Sequence, residues 1–297
     1  MESFAALARE IAALTGTACA SSPGRSVSGG SINTCYYWPR PGAAAPMFVK
    51  VGPPASQADF AAEAEGLREL HVARALRVPQ VLASGLADTA AFLALEWIEP
   101  GPAGTACERR LGEGLAALHT VTAPRYGFRR DNTIGRTPQA NEWSADWIEF
   151  FRERRLRPQL LLGERHGFPR RLGARAARLL EALPALLAGH RPRASLLHGD
   201  LWGGNWLATT TGEPVLFDPA VYYGDRETDL ATTHLFGGFG AGFYRAYESA
   251  APLPPGAVLR AELYNLYHVL NHANLFGGGY AAQAQSTIDR LLSEVGA

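Results

Sequence analysis

Apolar residues recur at helical spacing at the start of the chain. Phe4, Leu7, Ile11 and Leu14 lie three or four positions apart, and Gly16 follows them. This spacing is typical of an amphipathic helix that ends at a glycine. The acidic and basic residues within the same stretch are unlike the apolar segment of a signal peptide. We therefore predict a first helix that packs one face on the rest of the protein.

Four segments with strand character follow, and one helical segment interrupts them. The strands are predicted over "CYYW", "MFVKV", "VPQVLASGL" and "AFLALEWIE". Between the second and third of them, "SQADFAAEAEGLRELHVA" has helical period, with Phe60, Leu67 and Leu70 on the inner face. Residues 1–97 are therefore predicted to form a small lobe, an antiparallel sheet with one key helix.

Helical period dominates the remaining two thirds of the chain. The segment "PGPAG" lies within a predicted hinge or linker over residues 98–104, and residues 105–297 form a larger, mainly helical lobe. The helices are predicted over 107–119, 142–163, 170–189, 257–275 and 281–294, with short strands around "SLLHGD", "NWLA" and "PVLFD". The fold class is therefore α+β, with two lobes.

Composition excludes several classes of function. The chain carries 28 basic and 28 acidic residues and has no basic tract, so a nucleic-acid partner is not expected. No apolar stretch is as long as the roughly 18 residues that a membrane span needs. Three scattered cysteines, Cys19, Cys35 and Cys107, fit neither a disulfide framework nor a zinc site. We expect a cytoplasmic protein.

The segment "LLHGDLWGGNWL" contains the first candidate catalytic residues. Asp200 and Asn205 are five positions apart, and His198 precedes Asp200 by two. The catalytic loop of protein kinases, H-R-D-L-x-x-x-N, has the same intervals, because a carboxylate must meet the attacking hydroxyl while an amide oxygen reaches Mg²⁺. An aspartate that ends a strand in a glycine turn is the alternative reading of this motif.

A second acidic residue follows at a matching distance. Asp218 ends the apolar strand of "PVLFDPA", 13 residues after Asn205, and "TTTGE" between them predicts a β-hairpin. Protein kinases place a second metal-binding aspartate at this position. Asn205 and Asp218 are therefore predicted to bind Mg²⁺, although Pro219 replaces the phenylalanine of the kinase D-F-G motif.

Lys50 is the one lysine among 28 basic residues. It lies in the predicted strand "MFVKV", and the helix after that strand carries Glu63, with Glu65 as a weaker alternative. Kinase-like folds use a strand lysine and a helix glutamate to hold the α- and β-phosphates of ATP. A compact ammonium fits between a carboxylate and phosphates better than a planar guanidinium does. We predict that Lys50 and Glu63 form this pair.

Further candidates lie around these residues. "SGGSIN" carries Gly29, Gly30 and Ser31, whose backbone is predicted to approach phosphate. "LEWIE" is predicted to offer backbone groups to adenine through Glu96, Trp97 and Ile98 between the lobes; the alternative is an edge strand. Asp229 lies at a helix start in "YYGDRETDLA" and is expected to hydrogen-bond back to the loop of Asp200 or to cap the helix, and the two roles are compatible.

Taken together, these segments resemble the fructosamine kinase (ketosamine-3-kinase) family, a branch of the kinase-like aminoglycoside phosphotransferase superfamily. The resemblance spans about residues 10–290, and "DNTIGRTPQANEW" and "HGDLWGGNW" are specific to this branch. It implies a protein-kinase-like fold that uses ATP and Mg²⁺ to phosphorylate the 3-hydroxyl of a ketosamine, whose 3-phosphate decomposes and releases the amine. The biological role would be deglycation.

By the same resemblance, Asp200 is the proton acceptor, and His198, Trp202 and Asp229 are candidates for substrate contact. The substrate would be a small ketosamine or a glycated lysine on a protein. Ser31 stands where some members carry a cysteine that forms redox-sensitive dimers, so a monomer is expected. Two alternatives remain open: a kinase of another small alcohol, such as an aminoglycoside or choline, and an inactive nucleotide-binding protein.

Overall fold

A five-stranded antiparallel sheet forms the first lobe of the protein. The structure is a computed structural model that describes residues 4–27, 34–42 and 44–296, so Gly29, Gly30 and Ser31 lie outside the described residues. The strands run in the order β1-β2-β3-β5-β4. The elements of this lobe are α1 (Phe4–Thr15), β1 (Arg25–Val27), β2 (Thr34–Trp38), β3 (Met47–Gly52), a 3₁₀ turn (Pro54–Ser56), α2 (Gln57–Ala73), β4 (Val81–Ala87) and β5 (Ala90–Glu96).

Strand β5 lies inside this sheet, which explains its unbroken apolar sequence. Its residues alternate between two buried clusters. Phe92 and Ala94 belong to the cluster that includes Ile11 of α1, whereas Leu93 and Leu95 belong to the main core. The inner face of α2 joins that main core with the three residues predicted from its period, Phe60, Leu67 and Leu70. The sheet is therefore covered by two helices, α1 and α2, and the sequence predicted both.

The second lobe is mainly helical, and α5, α7 and α10 pack against its longest helix, α9. Helix α7 packs on α9, α10 packs on α9 and α6, and α3 packs on α8. The helix predicted over 142–163 is divided by a π-helical turn (Arg152–Leu156), and its aromatic residues Trp147, Phe150 and Phe151 are buried. The helices are α3 (Thr105–Leu118), α4 (Trp147–Phe151), α5 (Arg157–Arg165), α6 (Arg170–Leu186), α7 (Glu227–Phe236), α8 (Ala241–Ala250), α9 (Ala257–Phe276) and α10 (Tyr280–Glu294).

Short strands carry the candidate catalytic loops of this lobe. They are β6 (Pro100–Gly101), β7 (Thr122–Ala123), β8 (Asn132–Ile134), β9 (Thr137–Gln139), β10 (Ala194–Leu197), β11 (Trp206–Thr209), β12 (Pro214–Leu216) and β13 (Tyr222–Gly224). Strand β10 ends immediately before His198, and β12 ends two residues before Asp218. Strands β11 and β12 pair antiparallel, which confirms the predicted hairpin between Asn205 and Asp218.

The two lobes are joined by more than the chain connection. Pro100 and Gly101, within the predicted linker, pair with β11 of the second lobe. The carbonyl of Arg77 accepts a hydrogen bond from the backbone N–H of Leu216 at 2.9 Å. These backbone contacts bring β12, and the loop after it, against the first lobe. Among the described residues, no helix combines the length and the apolar character that crossing a membrane requires.

Candidate active site

A cavity of about 600 Å³ lies where the sheet of the first lobe faces the two loops of the second. Its wall contains six of the residues that the sequence singled out: Lys50, Glu63, Asp200, Trp202, Asn205 and Asp218. Residues separated by up to 168 positions in the chain are thus brought together, with the ammonium of Lys50 on the side of the first lobe. The cavity is the candidate active site.

Lys50 is tied to both lobes. Its side chain leaves β3 on the face opposite Val49, which packs in the α1 cluster. The ammonium donates to Glu63 Oε1 at 2.8 Å and to Asp218 Oδ1 at 2.6 Å, and only 4% of the residue is exposed. Burial alone would lower the pKa of Lys50, but the Asp218 and Glu63 carboxylates outweigh it and raise the pKa. The ammonium therefore stays charged.

Glu63 is the helix partner of Lys50, and Glu65 is not. Burial raises the pKa of Glu63 to about 7, although the neighbouring ammonium opposes this shift. Glu65 points instead toward the second lobe, where its carboxylate contacts Arg129 and lies 2.7 Å from the Arg130 guanidinium. The two glutamates therefore have different roles. Glu63 orients the lysine, and Glu65 helps fix α2 to the second lobe.

Asp200 and Asn205 lie in one loop and contact each other. Asn205 Nδ2 donates to the backbone carbonyl of Asp200 at 2.8 Å and to its carboxylate at 3.2 Å. Burial and then the charge of Asp218 raise the pKa of Asp200 to about 7. A carboxylate with this pKa is suited to accept a proton near neutral pH.

Asp218 takes an unusual backbone conformation. Its φ angle is 56°, in the left-handed region, which costs a non-glycine residue on the order of 1 kcal/mol. The carboxylate bonds Lys50 through Oδ1. Within the described part of the chain, neither Asp218 Oδ2 nor Asn205 Oδ1 takes part in a hydrogen bond. One carboxylate oxygen and one amide oxygen, both hard ligands, therefore remain for a cation such as Mg²⁺, and this donor set fits that ion.

The backbone of the Asp200 loop is held from beneath by Asp229. Its two oxygens accept from the backbone N–H groups of His198 and Gly199, each at 2.8 Å. His119 lies 3.3 Å away, and although burial opposes it, the contact with His119 lowers the pKa of Asp229. The expected hydrogen bond from the helix start back to the loop of Asp200 is therefore present.

His198 and Asp229 were also expected to contact substrate, and this expectation is corrected. His198 is 0% exposed and Asp229 1% exposed, and neither lines the cavity. His198 Nε2 lies 3.0 Å from the carbonyl of Phe217, and burial lowers the pKa of its imidazole. Both side chains form hydrogen bonds with backbone groups of the two loops. The bends of these loops leave backbone N–H and C=O groups without strand partners, and the two side chains supply those partners.

Trp202 does lie on the cavity wall, with 38% of its surface exposed. Its ring lies over Gly204, where a Cβ would be only 2.3 Å from the ring. Asp59 and Arg136 also line the cavity and were missed by the sequence analysis. Asp59 lies on α2, and Arg136 lies in the turn between β8 and β9. Each is an isolated charged residue, and no sequence pattern predicts that such a residue lines a cavity.

The predicted adenine-binding segment lies at the end of β5, outside the cavity lining. The Glu96 carboxylate bonds Arg77 at 2.6 Å and accepts from the backbone of Gln80 at 3.2 Å. The backbone N–H of Trp97 donates to Pro46 at 3.4 Å. Within Glu96, Trp97 and Ile98, a contact with adenine would therefore have to use backbone N–H or C=O groups that do not take part in these hydrogen bonds.

A second group of possible metal ligands, His190, Asp225 and Glu227, lies away from the cavity. Asp225 accepts from Tyr264 at 2.6 Å, and Glu227 forms an ion pair with Arg260 at 2.8 Å. These carboxylates already have protein partners. The cluster is therefore accounted for as a structural network rather than a metal centre.

Comparison with known proteins identifies a family and several relatives to which this chain is similar. The family model described as "Fructosamine kinase" matches residues 3–294. A relative from Synechocystis sp. named "Probable ketoamine kinase" is 44% identical, over 96% of this chain and 96% of its own. The chloroplastic protein-ribulosamine 3-kinase of Oryza sativa subsp. japonica is 41% identical, over 90% of this chain and 78% of its own.

Solved structures give the same picture. A crystal structure named as that of a fructosamine-3-kinase from Haemophilus somnus has a TM-score of 0.88 at 27% identity and covers 98% of each chain. An aminoglycoside phosphotransferase in a ternary complex with ADP and hygromycin B has a TM-score of 0.60 at 17% identity, covers 97% of this chain and 98% of its own, and shares the fold. The chain belongs to the fructosamine kinase family.

Proposed function

We propose that this protein transfers the γ-phosphate of ATP to the 3-hydroxyl of a ketosamine. The observation that carries the proposal is the contact of Lys50 with Glu63 and Asp218 inside the cavity that also contains Asp200 and Asn205. The names of the relatives supply the acceptor, a ketoamine or protein-bound ribulosamine, and the ADP complex of a protein with the same fold supports ATP as the donor.

In this reaction Lys50 binds the phosphates of the nucleotide, and Glu63 keeps its ammonium in place. Asn205 Oδ1 and Asp218 would hold Mg²⁺, which when bound neutralises charge on the phosphates. Asp200 orients the sugar hydroxyl and accepts its proton. The reaction needs no covalent intermediate on the protein, because positioning and electrostatic stabilisation provide most of the rate enhancement.

Trp202 is proposed to contact the sugar, since its exposed ring lies on the cavity wall near Asp200. The glycine-rich segment with Gly29, Gly30 and Ser31 is proposed to approach the phosphates, and Glu96 to Ile98 to lie near the adenine. We also propose a cytoplasmic monomer that removes sugar from amines, because the 3-phosphate of the ketosamine decomposes and releases the amine.

The experiment is to measure ADP formation by the purified protein with ATP and Mg²⁺ on fructosyl-lysine, ribulosyl-lysine, kanamycin and choline. Turnover of the ketosamines at least 100-fold above the other two would support the proposal. A preference for kanamycin or choline would assign the protein to another small alcohol. Absence of turnover on all four, with ATP still bound, would favour an inactive nucleotide-binding protein.

A further inference from the structure

Three amide side chains from the β8–β9 hairpin and the segment after it form one connected cluster. Gln139 Nε2 and Asn141 Nδ2 both donate to Asn132 Oδ1, at 2.8 Å and 3.0 Å. Gln139 is 1% exposed and Asn141 0% exposed. We call Asn132, Gln139 and Asn141 the amide clamp. They come from "DNTIGRTPQANEW", to which the sequence analysis assigned no chemistry.

The amide clamp reaches the backbone two and three residues after Asp218. Asn132 Nδ2 donates to the carbonyl of Val221 at 2.9 Å, and Gln139 Nε2 donates to that of Ala220 at 3.2 Å. Ala220 also contacts the other candidate catalytic loop, because its N–H donates to the carbonyl of His198 at 2.9 Å. The amide clamp therefore holds the backbone at the place where the loops of Asp218 and Asp200 meet.

Arg155, in the π-helical turn, anchors the other end of the cluster. It is 0% exposed, and none of the ion pairs found among the described residues involves it. Its Nη2 donates to Asn141 Oδ1 at 2.7 Å, and its guanidinium carbon lies 4.0 Å from the centre of the Tyr222 ring. Burying a cation without a carboxylate partner costs free energy. Arg155 therefore binds strongly to the acceptors around it.

These contacts fix the direction of every amide in the cluster. Asn141 Oδ1 accepts from Arg155, and Gln139 Oε1 accepts from the Tyr267 hydroxyl at 2.7 Å. The Asn141 NH₂ group must then face Asn132 Oδ1. The Gln139 NH₂ group faces the same oxygen, because it also donates to the carbonyl of Ala220, which can only accept. Asn132 is left with its own NH₂ group, which points to the carbonyl of Val221. The hydrogen bonds thus form one connected chain, with consistent donors and acceptors, from the Arg155 guanidinium to the backbone that follows Asp218.

We propose that Arg155 and the amide clamp position Asp218, by holding the backbone after it so that its left-handed turn persists and its carboxylate stays beside Lys50. Gln139, Asn141 and Arg155 are positioning residues buried away from the cavity, whereas Asn132 both lines the cavity and holds this backbone. The inference rests on the proposed function only for what Asp218 does with a magnesium nucleotide. The hydrogen bonds of Ala220 and Val221 are features of the fold itself.

The test uses Asn141→Asp, which keeps an oxygen for Arg155 and the shape of the side chain but removes the donor to Asn132. Gln139→Glu is the second variant, since it keeps the acceptor for Tyr267 and removes the donor to Ala220. The matched control is Asn274→Asp, whose Nδ2 donates to the carbonyl of Gln159, outside the cluster. The readouts are hydrogen exchange of the Ala220 amide and calorimetric binding of ADP with and without Mg²⁺.

We expect both clamp variants to remain folded, with Ala220 exchange at least tenfold faster than in the wild-type protein. Affinity for ADP with Mg²⁺ should fall at least tenfold, affinity for ADP without Mg²⁺ should stay unchanged, and the control should match wild type throughout. Wild-type exchange at Ala220 in both folded variants would overturn the inference. If the wild-type protein binds no nucleotide, the proposed function fails, while the exchange measurement still decides whether the clamp holds this backbone.

Discussion

The ammonium of Lys50 lies 2.6 Å from the carboxylate of Asp218, and this contact joins the two lobes at the candidate active site. The two residues come from a strand of the first lobe and a loop of the second, 168 positions apart. Neither side chain is fully exposed, so solvent screens the pair only in part. A nucleotide bound here would meet a cation and a carboxylate that are already oriented.

Replacing the lone lysine by arginine tests whether a compact charge is required. Lys50→Arg places a planar guanidinium in a buried site that contacts Glu63 and Asp218 at 2.8 Å and 2.6 Å. We expect kcat/KM for ATP to fall at least 100-fold, because the larger group cannot bond both carboxylates and the phosphates from the same position. Steady-state kinetics measure this. Arg109→Lys, an exposed pair with Glu113, is the control and should change nothing.

Two glutamates on α2 allow a matched comparison. Glu63→Gln removes a carboxylate that bonds Lys50, so we expect the KM for ATP to rise and kcat to fall by about tenfold or more. Glu65→Gln removes surface ion pairs with Arg129 and Arg130, which are worth about 0–1 kcal/mol. Its kinetics should stay within about twofold of the wild-type protein. Equal effects of the two variants would contradict the division of roles.

The raised pKa of Asp200 predicts how stability depends on pH in the nucleotide-free protein. Its pKa is about 7 in the folded protein and 3.8 ordinarily, so the folded state binds the proton more tightly. The contribution of Asp200 to the free energy of unfolding is then fully present below about pH 4 and is lost as the pH rises through 7.

Asp200→Asn abolishes this loss. We expect the variant to exceed the wild-type protein at pH 8 by on the order of 1–3 kcal/mol in the free energy of unfolding, and to match it near pH 4. Urea unfolding at the two pH values measures the difference. Asp88→Asn, in an exposed turn, is the control. A variant less stable than the wild-type protein at pH 8 would show that Asp200 is not destabilised when ionised.

Asp229 should be essential for the shape of the catalytic loop. Asp229→Asn keeps one oxygen for the two backbone N–H groups that His198 and Gly199 donate. Losing one such bond to a buried charged acceptor costs about 1.5–3 kcal/mol. We therefore expect a lower melting temperature and a kcat reduced at least tenfold, with less change in the KM for ATP. Full activity at unchanged stability would contradict the supporting role.

The sequence was sufficient to predict the residues of the candidate site that lie in or next to segments with a clear local pattern. Lys50 lies in an apolar strand, and Asp200, Asn205 and Asp218 follow short strands at intervals that the chemistry restricts, so the structure brings together residues that were named beforehand. The order of the main strands and of α2 also follows from their periods. Strand β1, with three residues at the edge of the sheet, was missed because so short a segment shows no period.

The residues that support the site could not be found in this way. Asn132 and Gln139 bond backbone groups more than 80 positions away, and no local pattern encodes such a contact. Arg155 has the side chain of a surface residue but is fully buried, because a π-helical turn and an aromatic cluster place it inside. His198 and Asp229 were identified as important, but their burial, which decides how they act, depends on packing between distant helices.

The most direct test of the proposed reaction is the product itself. Incubation with ATP, Mg²⁺ and ribulosyl-lysine or fructosyl-lysine, followed by ³¹P NMR before the product decomposes, should show a new phosphate ester at the 3-position of the sugar in equal amount to the ADP formed, and none with Asp200→Asn. Formation of ADP with no sugar phosphate, a phosphate at another hydroxyl, or an undiminished signal from the Asp200→Asn variant would contradict the account.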